Sequence, residues 1–197
     1  MRLSLDSIKS IADAIHAEGY AVVQTFLDTD TVSALAIECR GADLQPTAIG
    51  RGAARAERPD LRGDRTRWLH ASDASSAQRA YFDAMETLRC GLNRELMLGL
   101  DELEAHFAMY APGARYARHR DRFRDDDARV LSSVLYLNED WRESDGGALR
   151  LYLQDRHLDV YPSAGTLVLF LSADFEHEVL PATRDRLSIA GWFRRRA

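Results

Sequence analysis

Several features are scarce or missing in this chain, and each absence narrows what it can be. Only two cysteines occur in 197 residues, Cys39 and Cys90. They offer no disulfide framework and fit thiols in a reducing compartment. Long apolar runs are also missing. The longest, Gly165 to Leu171, falls far short of the ~20 residues that cross a bilayer. The first residues, MRLSLDSIKSIADAIHAEGY, spread their charges evenly, so no signal peptide is expected. Positive charge is not in excess: 26 Lys and Arg face 31 Asp and Glu, for a net charge of −5. That argues against a general nucleic-acid binder, and a cytoplasmic protein with no membrane or nucleic-acid partner is expected. No GxSxG, P-loop or GxGxxG motif is present, nor any internal repeat.

What is present fits one globular domain over 1–197, with 46% hydrophobic residues. Residues 1–100 read as helical support plus a substrate loop. Ile8, Ile11, Ala12 and Ile15 recur at helical steps up to Gly19. Tyr20 to Phe26 reads as a strand. Asp28 or Asp30 caps a second helix through about Arg40. Residues 41–63 are rich in Gly, Ala and Arg and read as loop. A third helix spans about 75–100, with Tyr81, Met85, Leu88 and Leu92 on one face. From 101 to 195 the texture changes to about eight short β-branched or aromatic runs, separated by turns such as Pro112-Gly113, Asp145-Gly146-Gly147 and Pro181. The expected fold is mainly β with helical N-terminal support, a double-stranded β-helix (jelly roll, cupin-like).

Chemistry concentrates in this second part. His119 and Asp121 stand two apart, so on a strand they share a face. His177 follows, and Arg186 comes nine residues later. Two histidines and a carboxylate in the order HxD…H can cover one face of an Fe(II) octahedron. The opposite face is then open for a cosubstrate and O2. Two such short elements also arise by chance among six histidines and 31 acids. In Arg186-Leu-Ser-Ile, alternation puts Arg186 and Ser188 on one face. A buried arginine requires an anionic partner, and its fork suits a carboxylate such as that of a 2-oxo acid. Tyr136 stands in an otherwise apolar strand, as a core tyrosine or as a second donor to the same carboxylate.

Taken together, the segments MYAPGARYARHRD (109–121), SVLYLNEDW (133–141), GGALR (146–150), HEVLPATRDR (177–186) and SIAGWF (188–193) resemble the prolyl hydroxylases of the Fe(II)/2-oxoglutarate oxygenase superfamily. The resemblance is to the oxygen-sensing animal enzymes and their bacterial relatives. DLRGDRTRW (60–68) resembles their Arg-Gly-Asp-x-x-x-Trp segment, so the likeness covers about 60–193. It implies iron ligands His119, Asp121 and His177. It also implies Arg186 and Tyr136 on the 5-carboxylate of 2-oxoglutarate, and Tyr110 near the chelating end or the substrate entrance. Tyr116 and Trp192 would line the pocket. Arg120, Arg122, Arg62, Asp64 and Trp68 would lie toward the substrate. Cosubstrates would be 2-oxoglutarate and O2, with ascorbate as reductant. The reaction implied is hydroxylation of a prolyl residue in a protein, at C4, giving succinate and CO2. Because bacterial relatives include enzymes acting on elongation factor Tu, that factor is the first candidate partner, and the enzyme would be a monomer or weak dimer. Two departures concern pocket detail: the turn between Tyr110 and His119 is one residue shorter, and Ala190 replaces a threonine.

Three other functions fit parts of the same pattern. An oxygenase acting on a free amino acid or other small molecule would share the same triad. A nucleic-acid demethylase would carry a second Arg where Trp192 stands. A non-catalytic module responding to 2-oxoglutarate or metal would keep the ligands without turnover. The run Asp125-Asp126-Asp127 lacks EF-hand spacing. His16, His70, His106 and His157 have no partner at ligand spacing and read as structural.

Overall fold

The computed structural model describes residues 4–49, 56–58, 60–121 and 128–196. Its helices begin and end where local chemistry dictates. α1 (Leu5–Glu18) starts at Ser4, whose hydroxyl accepts from the Ser7 amide, and stops at Gly19 in the left-handed region. α2 (Thr29–Gly41) starts at Asp28, whose carboxylate accepts from the Thr31 amide. α3 (Ser76–Leu96) starts at Ser75 and ends on Met97 in the left-handed region.

The strands are β1 (Tyr20–Val23), β2 (Gln45–Pro46), β3 (Ala48–Ile49), β4 (Ala56–Glu57), β5 (Asp64–Leu69), β6 (Leu100–Tyr110), β7 (Tyr116–His119), β8 (Arg129–Tyr136), β9 (Leu149–Tyr152), β10 (His157–Val160), β11 (Leu167–Leu171), β12 (Glu176–Val179) and β13 (Arg186–Arg195). A seven-stranded sheet runs β1-β11-β8-β13-β6-β5-β2, and a four-stranded sheet runs β10-β9-β12-β7. The stretch 41–63 is not all loop: it contributes β2, β3 and β4. β5 carries no apolar alternation in Asp-Arg-Thr-Arg-Trp-Leu and becomes a strand through its pairing with β6. The N-terminal half therefore adds β1, β2 and β5 to the larger sheet as well as supplying helices.

Alternation along β13 separates two cores. Leu187, Ile189 and Phe193 point to the helical side, where they join Leu131, Leu135, Phe107 and the buried faces of the three helices. The other face meets the small sheet around Tyr110, Tyr136, Leu149, Leu151, Val168 and Phe170. The helices thus cover one face of the large sheet and leave its other face to line a cavity.

α1 and α3 pack at a contact that only glycine allows. A Cβ on Gly91 would overlap the side chain of Ile8. Gly91→Ala is therefore expected to destabilise the protein by about 1–3 kcal/mol through overpacking. In a Gly91→Ala/Ile8→Ala double mutant, urea denaturation should recover part of that loss. Strict additivity of the two changes would show that the helices do not meet there.

Candidate metal and cosubstrate site

The site is built across the gap between the sheets. β7 and β12 pair so that His177 lies directly opposite His119. Asp121, two residues beyond His119, turns its carboxylate between the two rings. His119 Nε2 is 3.5 Å from Asp121 Oδ1, and His177 Nε2 is 3.6 Å from Asp121 Oδ2. One ligand atom from each residue lies within 4.8 Å of the other two. Both rings are held in the tautomer a metal needs. His119 Nδ1 donates to the Ala117 carbonyl at 2.8 Å and His177 Nδ1 to the Phe175 carbonyl at 3.4 Å, leaving each Nε2 bare. Ser132 Oγ donates to Asp121 Oδ2 at 2.7 Å and is itself 2.8 Å from Ser172 Oγ.

Electrostatics favour a cation here. Burial works to raise the Asp121 carboxyl, but the charge that His177 takes up on protonation, the neighbouring His119 and the Ser132 hydroxyl outweigh it, so the group stays ionised far below the usual range. Burial lowers His177 to about 4, keeping it neutral and able to ligate. Two imidazoles and one carboxylate suit Fe(II).

A second feature lies next to these ligands. Arg186 is 1% exposed. Its Nε donates to the Gly147 carbonyl at 2.8 Å, while its Nη2 has no partner. The hydroxyl of Tyr136 is likewise buried and unpartnered. The guanidinium lies 5.0 Å from the Tyr136 ring centre and 5.3 Å from that of Tyr110. Burial pushes the Tyr136 hydroxyl up to about 12, so it remains a donor. Unpaired buried donors beside a cation call for an anion, and a carboxylate would satisfy both. Gly147 permits this geometry. It has φ +71, and a Cβ there would come within 2.9 Å of Ala182 and 3.4 Å of Arg186 Cδ.

The wall toward β5 carries the rest. Arg62 Nε donates to Asp64 Oδ1 at 2.7 Å, and its guanidinium sits 4.6 Å from the Tyr116 ring centre. Tyr116 in turn stacks on His119 at 3.6 Å. Trp68, 47% exposed, meets His106 edge-on at 5.0 Å, and His106 is 5.5 Å from Trp192. The cavity is thus lined by His119, Asp121, His177, Arg186, Tyr110, Tyr116, Trp192, Arg62 and Asp64, with Tyr136 behind Arg186 and Trp68 at the edge. Arg120 is not brought there. It is exposed and lines a separate groove with Arg118 and Tyr152, because strand alternation turns it away from its two neighbours. Arg122 and the Asp125–Asp127 run lie outside the described residues. His106, read from sequence as structural, is 2% exposed and stands among the residues that line the cavity. Its placement on one rung with Ala190 and Trp68 was the only signal, and that is a matter of register. Ser132 was missed for the same reason.

Comparison with known proteins agrees with this geometry. The 2OG-Fe(II) oxygenase superfamily model matches residues 105–194. A Pseudomonas putida prolyl-4-hydroxylase structure is 47% identical, covering 96% of this chain and all of its own, with a TM-score of 0.88. A Trichoplax adhaerens prolyl hydroxylase, solved with a hypoxia-inducible-factor peptide fragment, is 22% identical over 96% of this chain and 90% of its own, with a TM-score of 0.86, and shares the fold. A hypoxia-inducible factor prolyl hydroxylase of Caenorhabditis elegans is 30% identical over 68% of this chain. The chain spans only 20% of the length of that relative.

Two outcomes are expected of the site itself. Ser132→Ala should weaken divalent-metal binding by about 10- to 100-fold, since an oriented ligand loses its tether. Titration with Co(II) would read this, and an unchanged affinity would rule the tether out. The metal-free protein should also lose stability as pH falls from about 6.5 to 4. His106 and His177 are both held near 4, so across that window the unfolded chain takes up protons that the folded one refuses. Each ring contributes roughly 3 kcal/mol to the loss. A flat profile of urea midpoints over that window would contradict it.

Proposed function

The chain belongs to the prolyl 4-hydroxylase family of 2-oxoglutarate- and Fe(II)-dependent oxygenases, and from that we propose that it hydroxylates a prolyl residue, at C4, in a protein substrate. The observation that carries the reading is the pairing of an open His-Asp-His triad with a buried, unsatisfied Arg186–Tyr136 clamp in one cavity. His119, Asp121 and His177 would hold Fe(II). The chemistry Fe(II) supplies when bound is O2 activation, coupling decarboxylation of 2-oxoglutarate to succinate and CO2 with insertion of oxygen into a C–H bond. Ascorbate would serve as reductant.

The chain's own residues do the rest. Arg186 would bind the 5-carboxylate of 2-oxoglutarate through the guanidinium nitrogens that Gly147 leaves free, and Tyr136 would add a neutral donor. Tyr110, across from Arg186 in the strand register, closes that end of the cavity. Ser132 keeps the Asp121 carboxylate turned to the metal. Tyr116, stacked on His119, fixes the ring plane of that ligand. The bridge Arg62–Asp64 and the rings of Trp68 and Trp192 form the side from which substrate arrives. Excluding water there strengthens every electrostatic contact inside.

A protein substrate is favoured because a relative with this fold was solved holding a peptide. Elongation factor Tu is the first candidate, met in the cytoplasm by a monomer or weak dimer. Purified protein with Fe(II), 2-oxoglutarate and ascorbate should form succinate faster when elongation factor Tu is present. Mass spectrometry should find one added oxygen on a proline of the factor, and His119→Ala should abolish both. Succinate formation indifferent to the factor would remove it as the substrate. Arg186→Gln should raise the 2-oxoglutarate concentration needed for half-maximal rate by more than about 30-fold, the loss of a buried charge-assisted contact, with Co(II) affinity unchanged. A normal requirement would place the cosubstrate elsewhere.

A further inference from the structure

His106 lines the cavity yet has no task in the chemistry above. It stands on β6 opposite Ala190 of β13 and Trp68 of β5. Ala190 in turn lies opposite Val134 of β8, and the next inward position along β13, Trp192, lies opposite Ser132. Ser132 is the residue that tethers Asp121. Tyr110, which meets Arg186, is four residues away along β6, or about 13 Å at the ordinary strand rise. His106 therefore lies between the two ends of the cavity, one inward position (about 7 Å) from the rung of Ser132 and two from the carboxylate clamp. It is also displaced toward β5, where Trp68 opens to solvent.

Its protonation pattern follows from its partners. Nδ1 lies 3.1 Å from the Phe107 carbonyl. A carbonyl only accepts, so Nδ1 carries the hydrogen. Burial, with Arg62 nearby, keeps the ring neutral, its pKa lowered to about 4. A neutral imidazole with hydrogen on Nδ1 has a bare lone pair on Nε2. No described residue donates to that nitrogen. The wall between two indoles thus carries one strong acceptor, one rung from the residue that tethers Asp121.

A proline nitrogen inside a chain has no hydrogen to offer. The nearest backbone donor to the ring is the amide N–H of the following residue. We propose that His106 contacts substrate directly, its Nε2 accepting the backbone N–H of the residue that follows the target proline, and so sets how the proline lies against the ligand triad. This contact rests on the prolyl-hydroxylase reading. It would recognise the chain whatever side chain follows the proline, leaving Trp68 and Trp192 to select by shape.

The natural target need not be identified for the test. A peptide mixture with one central proline and randomised flanks is treated with the enzyme loaded with Fe(II) and given 2-oxoglutarate, and mass spectrometry identifies the sequence that best gains one oxygen. That peptide is then made with the amide after proline replaced by an ester, which removes the N–H donor while keeping the chain's shape. The ester should lower kcat/KM of the unaltered enzyme by about 5- to 100-fold, the effect of stranding a buried acceptor. His106→Phe should lose a similar factor on the amide peptide and show no further loss on the ester. His106→Gln, which restores an acceptor, should recover part of the rate. Co(II) affinity and the 2-oxoglutarate requirement should be unmoved in both variants. An ester that the unaltered enzyme accepts as well as the amide overturns the contact, without appeal to any variant. So does an equal ester penalty in the unaltered enzyme and His106→Phe. If no peptide in the mixture gains oxygen while 2-oxoglutarate is still consumed, the prolyl-hydroxylase reading itself fails, and the contact falls with it.

Discussion

The long antiparallel pairing of β13 with β6 is the constraint on which the rest depends. It sets Arg186 against Tyr110, Ser188 against Ala108, and Ala190 against His106. β8 joins the other side and sets Tyr136 against Ser188 and Ser132 against Trp192. Side chains alternate along each strand, so a slip of one residue would move every one of these groups into the helical core and every core residue into the cavity. Leu187, Ile189 and Phe193, each fully buried on the helical side, hold that register with their hydrophobic contacts. The polar site is therefore positioned by the apolar face of the same strands.

Arg186 shows how a charge can be kept where no carboxylate among the described residues pairs with it. The Gly147 carbonyl takes one of its donors. The turn that presents this carbonyl is fastened at several points: the Gly147 amide donates to the Pro181 carbonyl, and Trp141 Nε1 donates to the Gly146 carbonyl. At the strand end, buried Asn138 donates to the Pro162 and Leu187 carbonyls and accepts from the Leu187 amide. These bonds lock the start of β13 while leaving the guanidinium partly unsatisfied. Leaving buried donors unpaired costs stability in the free protein. That cost is recovered when an anion binds, which makes the cavity a receptor for one class of cosubstrate and a poor site for neutral molecules.

The two sheets divide the work. The small sheet supplies the histidines, held by neighbouring carbonyls, by the stack of Tyr116 on His119 and by the edge-on contact of Phe170 with His177. The large sheet supplies the clamp, the Ser132 tether and the aromatic wall. Metal and cosubstrate would thus be gripped from opposite sides, and neither sheet alone makes a site. The helices do not reach the cavity. They bury the far face of the large sheet and hold it in shape, which is why a close contact such as Gly91 on Ile8 bears on stability and not on chemistry.

Much of this was legible in the chain itself. A cap at Asp28 or Asp30, the start of the third helix near Ser75, the stop at Gly19, and the strands from Ala105 onward follow from local hydrogen bonding, apolar spacing and turn residues, which are properties of neighbours in sequence. That Leu100 opens a strand and does not end the helix was not legible. The triad was legible too, because its spacing survives as pattern, while Tyr136 was singled out only by the family resemblance. β5 was not, since Asp-Arg-Thr-Arg-Trp-Leu is a strand only by virtue of β6 beside it. Nor were the turning-away of Arg120, the tether from Ser132 to Asp121, or the place of His106 between two indoles. By itself the sequence determined the three helices, most of the later strands and the residues that could hold a metal. The tertiary structure alone decided which side chains share a rung across strands that lie far apart in the chain, because that proximity arises from sheet register and from the burial of opposite faces, neither of which is encoded in any local stretch.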